Sequence, residues 1–149
     1  MKLVQRFSKI LVAIDFSENS MRAAEFAISI AERNRAQLVV LHVLHIPNTE
    51  LYLTTGKKYK EYSIKIGQDL QEWFYRINKT AVDNQVKVKT DVIKVTPNVA
   101  SAIADYADKN GIDLIIVGTR GKSGLKKLLL GSVAAGVVAY ASCHVLVIK

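Results

Sequence analysis

The sequence predicts one doubly wound α/β domain, built on a five-stranded parallel sheet with helices on both faces. Five apolar segments with strand character alternate with four segments of helical spacing, and most of the strand segments are continuous apolar runs. Such runs are typical of parallel strands that are covered on both faces. The chain has 149 residues, 50% of them hydrophobic, which suits a single domain with its own core.

The five strands are recognised by apolar and β-branched composition. The first, residues 10–14, is an apolar run that ends at Asp15 and is too short for an exported signal sequence. The third alternates between apolar and polar residues and is expected near an edge of the sheet. The strands are predicted at residues 10–14, 37–43, 85–95, 113–117 and 144–148.

The four helices are recognised by apolar residues at helical spacing. In the first, these residues form one stripe from Ala23 to Ile30, and Ser17 or Ser20 can cap its beginning. Gly111, with the asparagine before it, ends the third helix because both residue types tolerate the left-handed conformation. The helices are predicted at residues 20–33, 61–83, 99–109 and 132–141, with a polar and basic loop at about 47–60.

The C-terminal segment, residues 128–148, is uncharged when His144 is neutral and is flanked by lysines. Its length approaches the roughly 20 apolar residues that a membrane span requires. Near Ser142, however, a helix pattern rich in small residues changes to a β-branched strand pattern. A helix followed by a buried strand explains this change, so we predict no membrane segment. We predict a cytoplasmic protein, and its single cysteine, Cys143, fits a reducing compartment.

The net charge of +8 is concentrated toward the C-terminus. Residues 114–149 hold five basic residues and no acidic ones, which contributes +5, while the preceding residues contribute +3. A local excess of this kind is compatible with binding of nucleic acid, an anionic membrane or a smaller anion such as a nucleotide.

A glycine-rich basic segment follows the fourth strand and leads into the last helix. Three glycines within residues 118–124 let backbone amides approach a ligand. Gly131 and Ser132 begin the helix, where free amides and the helix dipole favour an anion. No P-loop or dinucleotide-binding fingerprint follows the first strand, where either would belong. Because ligands of such sheets bind beyond the carboxyl ends of the strands, Asp15 and the glycine segment are the candidate site.

The spacing Gly118-x2-Gly121-x9-Gly131-Ser132 resembles the ATP-binding signature of the universal stress protein family. The segments ILVAIDFSENS, LVVLHV, DLIIVGTRGKSGLKKLLLGSV and VLVIK resemble the family's first, second, fourth and last strands with their loops. The resemblance implies an adenine-nucleotide site at the switch point of a sheet with strand order 3-2-1-4-5. It also implies a homodimer through the last strand, which consists of His144, Val145, Leu146, Val147 and Ile148.

Matched by position, the resemblance implies a role for each group of site residues. Asp15 would hold the ribose hydroxyls, which suits a carboxylate because it accepts hydroxyl protons and repels phosphate. Ala13, Ile14 and Val43 would line the base, Gly118, Gly121, Gly131, Ser132 and Val133 would surround the phosphates, and Val117 and Arg120 complete the predicted nucleotide-binding residues. The sequence leaves open whether Arg120 and Lys122 pair with the γ-phosphate or stay solvated.

We predict no catalytic residue and no protein metal site. All charge near the glycine segment is positive, so ATP hydrolysis would be slow at most and would depend on Mg²⁺ held by the phosphates and water. His42 and His45 lack a further ligand at suitable spacing and are assigned roles in the structure or at the rim of the site.

The leading hypothesis is a dimeric, ATP-binding regulator or sensor in the stress response. The first alternative is a family member that binds no ATP and serves as a scaffold or binds another small ligand. The second is a nucleic-acid-binding module, although nucleic acid is not the expected partner.

Overall fold

A computed structural model of the chain describes residues 6–45, 56–95, 98–120 and 130–149. Strands and helices alternate along these residues. The strands are β1 (Lys9–Ile14), β2 (Gln37–His45), β3 (Val88–Val95), β4 (Leu114–Gly118) and β5 (His144–Ile148). The helices are α1 (Glu18–Asn34), α2 (Gly56–Asp83), α3 (Val99–Lys109) and α4 (Ser132–Tyr140).

All five strands are parallel and lie in the order β3-β2-β1-β4-β5, which confirms the predicted fold class and strand order. β1 is central, and Ile10 pairs with Leu38 on one side and with Leu114 on the other. The chain fills one half of the sheet with β2 and β3 and then crosses β1 to add β4 and β5. The carboxyl ends of β1 and β4 therefore meet at the switch point, where sheets of this class bind ligands.

Two apolar layers cover the sheet, one on each face. Alternate residues of β1 point to opposite faces, so Ile10 packs with Ile77 of α2 whereas Leu11 packs with Ile103 of α3. Both β1 residues are completely buried. This two-sided burial is the physical reason why the strands are continuous apolar runs rather than alternating ones.

The first two helices begin earlier than the sequence predicts. α1 begins two residues earlier, and Ser17 is its N-cap, with Oγ accepting a hydrogen bond from the Ser20 amide at 3.1 Å. α2 begins at Gly56, so the last part of the loop predicted at 47–60 is helical. The rest of that loop, residues 47–55, lies outside the described residues.

β3 begins at Val88 rather than at residue 85, because Gln85 has a left-handed φ of 59° that an extended strand excludes. β5 spans residues 144–148 as predicted, and α4 ends before it at Tyr140. Within the part of the chain that the structure describes, no helix has both the length and the apolar character needed to cross a membrane.

Candidate functional site

A pocket opens at the carboxyl edge of the sheet, between the ends of β1 and β4 and the first turn of α4. Its empty volume is about 760 Å³, counting the part that is open to solvent. Ten of the eleven residues predicted to bind nucleotide line it: Ala13, Ile14, Asp15, Val43, Val117, Gly118, Arg120, Gly131, Ser132 and Val133. The eleventh, Gly121, lies outside the described residues. The pocket thus brings the predicted residues together, while their nucleotide-binding roles stay predictions.

Five further residues line the pocket and were missed by sequence reasoning: Ser20, Val99, Ile103, Thr119 and Ala134. Ala134 and Thr119 adjoin predicted residues along the chain, so a wider window around the glycine segment would have found them. Val99 and Ile103 reach the pocket because α3 packs over the face of the sheet that carries Val43 and Val117. That approach depends on tertiary packing, and no local sequence signal reveals it.

Asp15 lies in a tight turn between β1 and α1. Its Oδ1 accepts hydrogen bonds from the backbone amide of Ser17, at 3.0 Å, and from the Ser17 hydroxyl. The Asp15 amide in turn donates to Oγ of Ser20 at 3.3 Å. Hydrogen bonds to a carboxylate are stronger than those between neutral groups. The turn therefore holds the Asp15 carboxylate in a fixed position at the wall of the pocket.

Phe16, the next residue, has a left-handed φ of 66°, which is unusual for a bulky side chain. Its ring stacks on the imidazole of His42 with 4.5 Å between ring centroids, and meets Trp73 of α2 edge-on at 5.5 Å. His42 is buried, and its Nδ1 donates to the carbonyl oxygen of Ile14 at 2.8 Å. His42 therefore has the kind of structural role that the sequence predicts, whereas the His45 side chain lies outside the description.

The end of β4 passes very close to the first turn of α1. A Cβ atom at Gly118 would lie 2.1 Å from Oδ1 of Asn19 and 3.2 Å from the Asn19 carbonyl oxygen, so any side chain here would displace the Asn19 side chain. The same Oδ1 accepts a hydrogen bond from the Arg120 amide at 3.0 Å. These contacts join the carboxyl end of β4 to the helix that follows Asp15.

Gly131 is the N-cap of α4, and within the described residues no side chain makes a cap hydrogen bond there. By contrast, the side chains of Ser17 and Asn98 cap α1 and α3. The Gly131 amide donates to the Thr119 carbonyl oxygen at 2.5 Å, and a Cβ at Gly131 would lie 2.9 Å from that oxygen. Amides in the first turn of a helix lack intrahelical partners. The pocket-lining turn of α4 therefore presents amides and the positive end of a helix dipole.

The two sides of the pocket differ in charge. Among the described lining residues, Asp15 is the acidic one and Arg120, which is exposed, is the basic one. The structure contains no group of three or more His, Cys, Asp or Glu side chains that could hold a metal ion, as far as its described residues go. The site therefore offers a carboxylate beside β1 and anion-favouring amides beside α4.

A doubly wound α/β domain with a pocket at its switch point defines a broad class of small-ligand-binding domains. The model of the universal stress protein family matches residues 6–149, and this chain belongs to that family. The family assignment made from the glycine spacing and the strand segments is therefore confirmed.

Similar proteins span nearly the whole chain. Universal stress protein MJ0531 of Methanocaldococcus jannaschii is 34% identical over 143 residues, which is 96% of this chain and 82% of that protein. Among solved structures, universal stress protein UspA from Lactobacillus plantarum is 26% identical, with a TM-score of 0.86 over 98% of this chain and 100% of that one. A universal stress protein crystallised in complex with cAMP is 25% identical, with a TM-score of 0.69 over 97% of this chain and 98% of that one.

Proposed function

We propose that this protein binds an adenine nucleotide, with ATP as the leading candidate, in the switch-point pocket and acts as a dimeric regulator or sensor in the stress response. The observation that carries the proposal is the placement of Asp15 and the uncapped first turn of α4 on one pocket. A carboxylate accepts hydrogen bonds from sugar hydroxyls, whereas helix N-terminal amides bind phosphate. A nucleotide carries both groups. The relative crystallised with cAMP adds support from within the family.

The proposed ligand lies with its sugar near β1 and its phosphates near α4. Ala13, Ile14 and Val43 form an apolar wall that suits the base, and Val117 continues this wall. The phosphates would be held by the backbone of Gly118 and Gly131 and by the amides and hydroxyl of the first turn of α4, Ser132 and Val133. Arg120 adds a positive charge at the mouth, and Gly121 is proposed from the motif alone. Any Mg²⁺ would arrive with the nucleotide and be held by its phosphates and by water.

The ligand class is tested by denaturing the purified protein and identifying the released nucleotide by mass spectrometry. Titration calorimetry with ATP, AMP and GTP then follows. We expect an adenine nucleotide in the extract and a clear preference for ATP over GTP. A protein that releases no adenine nucleotide and binds none at millimolar concentration would refute the proposal and favour a scaffold.

The ribose role of Asp15 is tested with Asp15→Asn. Asparagine keeps an Oδ1 acceptor for the Ser17 amide and hydroxyl, so the turn should persist while the charge is lost. Because a hydrogen bond to a charged group contributes about 1.5–3 kcal/mol, ATP affinity should fall roughly 10- to 100-fold. The affinity for dideoxy-ATP, which lacks both ribose hydroxyls, should change little. The control is Asp105→Asn, an exposed carboxylate on α3, and equal losses for both ligands in Asp15→Asn would contradict the ribose role.

The phosphate end is tested with Gly131→Val, which should abolish ATP binding. Even the Cβ atom would lie 2.9 Å from the Thr119 carbonyl oxygen, so the start of α4 must shift and the larger side chain fills space beside the amides. Gly67→Val on α2 is the matched control, because a Cβ there would meet nothing within 4 Å. A folded Gly131→Val protein, checked by circular dichroism, that binds ATP with unchanged affinity would exclude this phosphate site.

The dimer is proposed through β5, which is an edge strand of the sheet. The Ile148 carbonyl oxygen accepts from the Thr119 amide at 2.8 Å, so the backbone groups of Ile148 point toward β4. Because consecutive residues of a strand alternate in direction, the N–H and C=O groups of Val147 point to the open edge. Beside the strand, Val138 and Tyr140 of α4 are 51% and 56% exposed, which adds apolar surface to this side.

Val147→Pro tests this interface. Proline removes a donor that faces the open edge, a position where sheets tolerate it, and leaves the β4–β5 ladder intact. We expect sedimentation velocity to show a dimer for the natural protein and a folded monomer for Val147→Pro. Leu146→Pro, whose N–H faces β4, is the control and should lower the melting temperature instead. A dimer that persists in a folded Val147→Pro protein would contradict an interface formed by β5.

A further inference from the structure

Asn19, the second residue of α1, contacts the chain just after β4 but does not itself line the pocket. We propose that Asn19 is a positioning residue, which fixes the beginning of the glycine segment and thereby the phosphate end of the site. The inference rests on the proposed nucleotide binding. Asn19 is absent from the pocket lining, so its effect on a ligand would pass through Arg120 and Gly118.

The contact is long-range and specific. Oδ1 of Asn19 accepts the Arg120 amide at 3.0 Å, across 101 residues of sequence. Asn19 itself is half-buried and stands in the first turn of α1, whose preceding N-cap, Ser17, binds Oδ1 of Asp15. The Asn19 side chain therefore connects the turn that holds Asp15 with the point where β4 ends. The lack of a side chain at Gly118 makes this approach sterically allowed.

The residues at the end of β4 are fixed by three different elements. The Thr119 amide donates to the Ile148 carbonyl oxygen of β5 at 2.8 Å, and the Thr119 carbonyl oxygen accepts the Gly131 amide before α4. The Arg120 amide donates to Asn19 of α1. The first two bonds join backbone atoms and need no side-chain hydrogen-bonding group. The third depends on a side chain, so Asn19 is the residue whose identity specifies how the segment after β4 begins.

The position of Thr119 matters directly for the phosphate end. Its carbonyl oxygen holds the amide of Gly131, the N-cap of α4, and Arg120 follows it in the chain. Loss of the Asn19 bond frees the Arg120 peptide to rotate and allows Thr119 to shift. Such a shift would move Gly131 and the proposed phosphate-binding amides of α4. The sugar side, held by Asp15 and Ser17, has its own hydrogen bonds and would be less affected.

The experiment compares Asn19→Ala with Asn34→Ala. Asn34 is an ideal control because its Oδ1 also accepts a backbone amide from another segment, that of Phe7 at 3.1 Å, but at the opposite end of α1. Calorimetry measures the affinity of each folded protein for ATP and for adenosine, which lacks phosphates. Hydrogen exchange by NMR measures the protection of the Arg120 amide. Asn19→Asp, which retains an acceptor oxygen, is used in the exchange measurement.

We expect Asn19→Ala to weaken ATP binding about 5- to 10-fold and adenosine binding less than twofold, because the removed bond supports the phosphate end. Exchange of the Arg120 amide should accelerate at least several-fold in Asn19→Ala and return toward the natural rate in Asn19→Asp. Asn34→Ala should leave both the ATP-to-adenosine ratio and the Arg120 exchange unchanged.

Two binding results would overturn the inference. One is an unchanged ratio of ATP affinity to adenosine affinity in Asn19→Ala. The other is the same loss of ATP affinity in Asn34→Ala, which would indicate a general effect on stability. Unaltered Arg120 exchange in Asn19→Ala would refute the contact itself. If the natural protein binds neither ATP nor adenosine, the proposed function fails together with the ligand part of this inference. The exchange measurement then decides separately whether Asn19 fixes the end of β4.

Discussion

The close approach of β4 to α1 makes Gly118→Ala an informative perturbation. The new Cβ would lie 2.1 Å from Oδ1 and 2.9 Å from Cγ of Asn19, where ordinary contacts begin at 3.4 Å. The side-chain amide group of Asn19 must therefore withdraw by more than 1 Å, and its hydrogen bond with the backbone N–H of Arg120 is lost. Both partners of the clash are known, so its energetic consequence can be worked out from the contacts.

Three contributions set the expected change in the free energy of unfolding. The lost hydrogen bond costs about 0.5–1.5 kcal/mol, and overpacking of the contact costs about 1–3 kcal/mol. Replacing glycine by alanine restricts the unfolded chain and returns about 0.4–1 kcal/mol. The net destabilisation of Gly118→Ala should be about 0.5–4 kcal/mol. For a chain of this length that lowers the melting temperature by roughly 2–4 °C per kcal/mol.

A double-mutant cycle with Asn19→Ala isolates the clash. Without the Asn19 amide, the nearest remaining atom is the Asn19 carbonyl oxygen at 3.2 Å, so Gly118→Ala should then cost less than about 1 kcal/mol. Urea denaturation should yield a coupling energy of about 1–2 kcal/mol. Gly67→Ala, in an open position on α2, is the matched control and should stabilise by about 0.5–1 kcal/mol. Additivity of Gly118→Ala and Asn19→Ala within about 0.5 kcal/mol would refute the reasoning.

Three further predictions concern regions outside the pocket. Gly136→Ala would bring a Cβ to 2.5 Å from the Ala100 Cβ and force α3 and α4 apart. Urea denaturation should show a free energy of unfolding that is lower by about 1–3 kcal/mol. Adding Ala100→Gly to this variant should restore the stability. Burial, and secondly the hydrogen bond to Asp91, raise the pKa of Tyr106 from 10.0 to about 12. The folded protein should therefore lose stability as the pH rises from 10 to 12. Denaturation curves of Tyr106→Phe should show a weaker dependence on pH over this range. Burial raises the pKa of Cys143, the single cysteine of the chain. At neutral pH, iodoacetamide should therefore label the folded protein more slowly than the unfolded protein. Equal labelling rates, measured by mass spectrometry, would contradict this.

Most elements could be predicted because each follows from a strong pattern, whereas the strand order was implied by the resemblance to the family. Continuous apolar runs reflect burial on both faces, and the helix spacings and turn residues mark the crossovers. The backbone at Phe16 and Gln85 could not be predicted, because both adopt a left-handed conformation that their residue types disfavour. At Phe16, stacking on His42 and contact with Trp73 accompany that conformation. Such compensation comes from residues distant in sequence, and local propensity does not contain it.

The candidate site could likewise be predicted only in part. The spacing of Gly118 and Gly131 identified both as unusual positions, but it did not reveal what each backbone approaches. The structure supplies those partners: Asn19 for Gly118 and the Thr119 carbonyl oxygen for Gly131. Asn19 itself carries no signal in the sequence, because an asparagine in the first turn of a helix is ordinary there. Its contact exists only because β4 lies beside β1 in the folded sheet.

The topology explains how so few side chains can define a site. Asp15 follows β1 and Gly118 ends β4, so adjacent strands bring residues from distant parts of the sequence to one edge. Most of the proposed phosphate contacts come from backbone amides, whose position depends on the path of the chain. Changes to residues that fix this path, such as Asn19 and Gly131, should therefore affect binding as strongly as changes to Ser132, which faces the pocket directly. The specificity of such a pocket depends on how accurately the ends of β1 and β4 are held together.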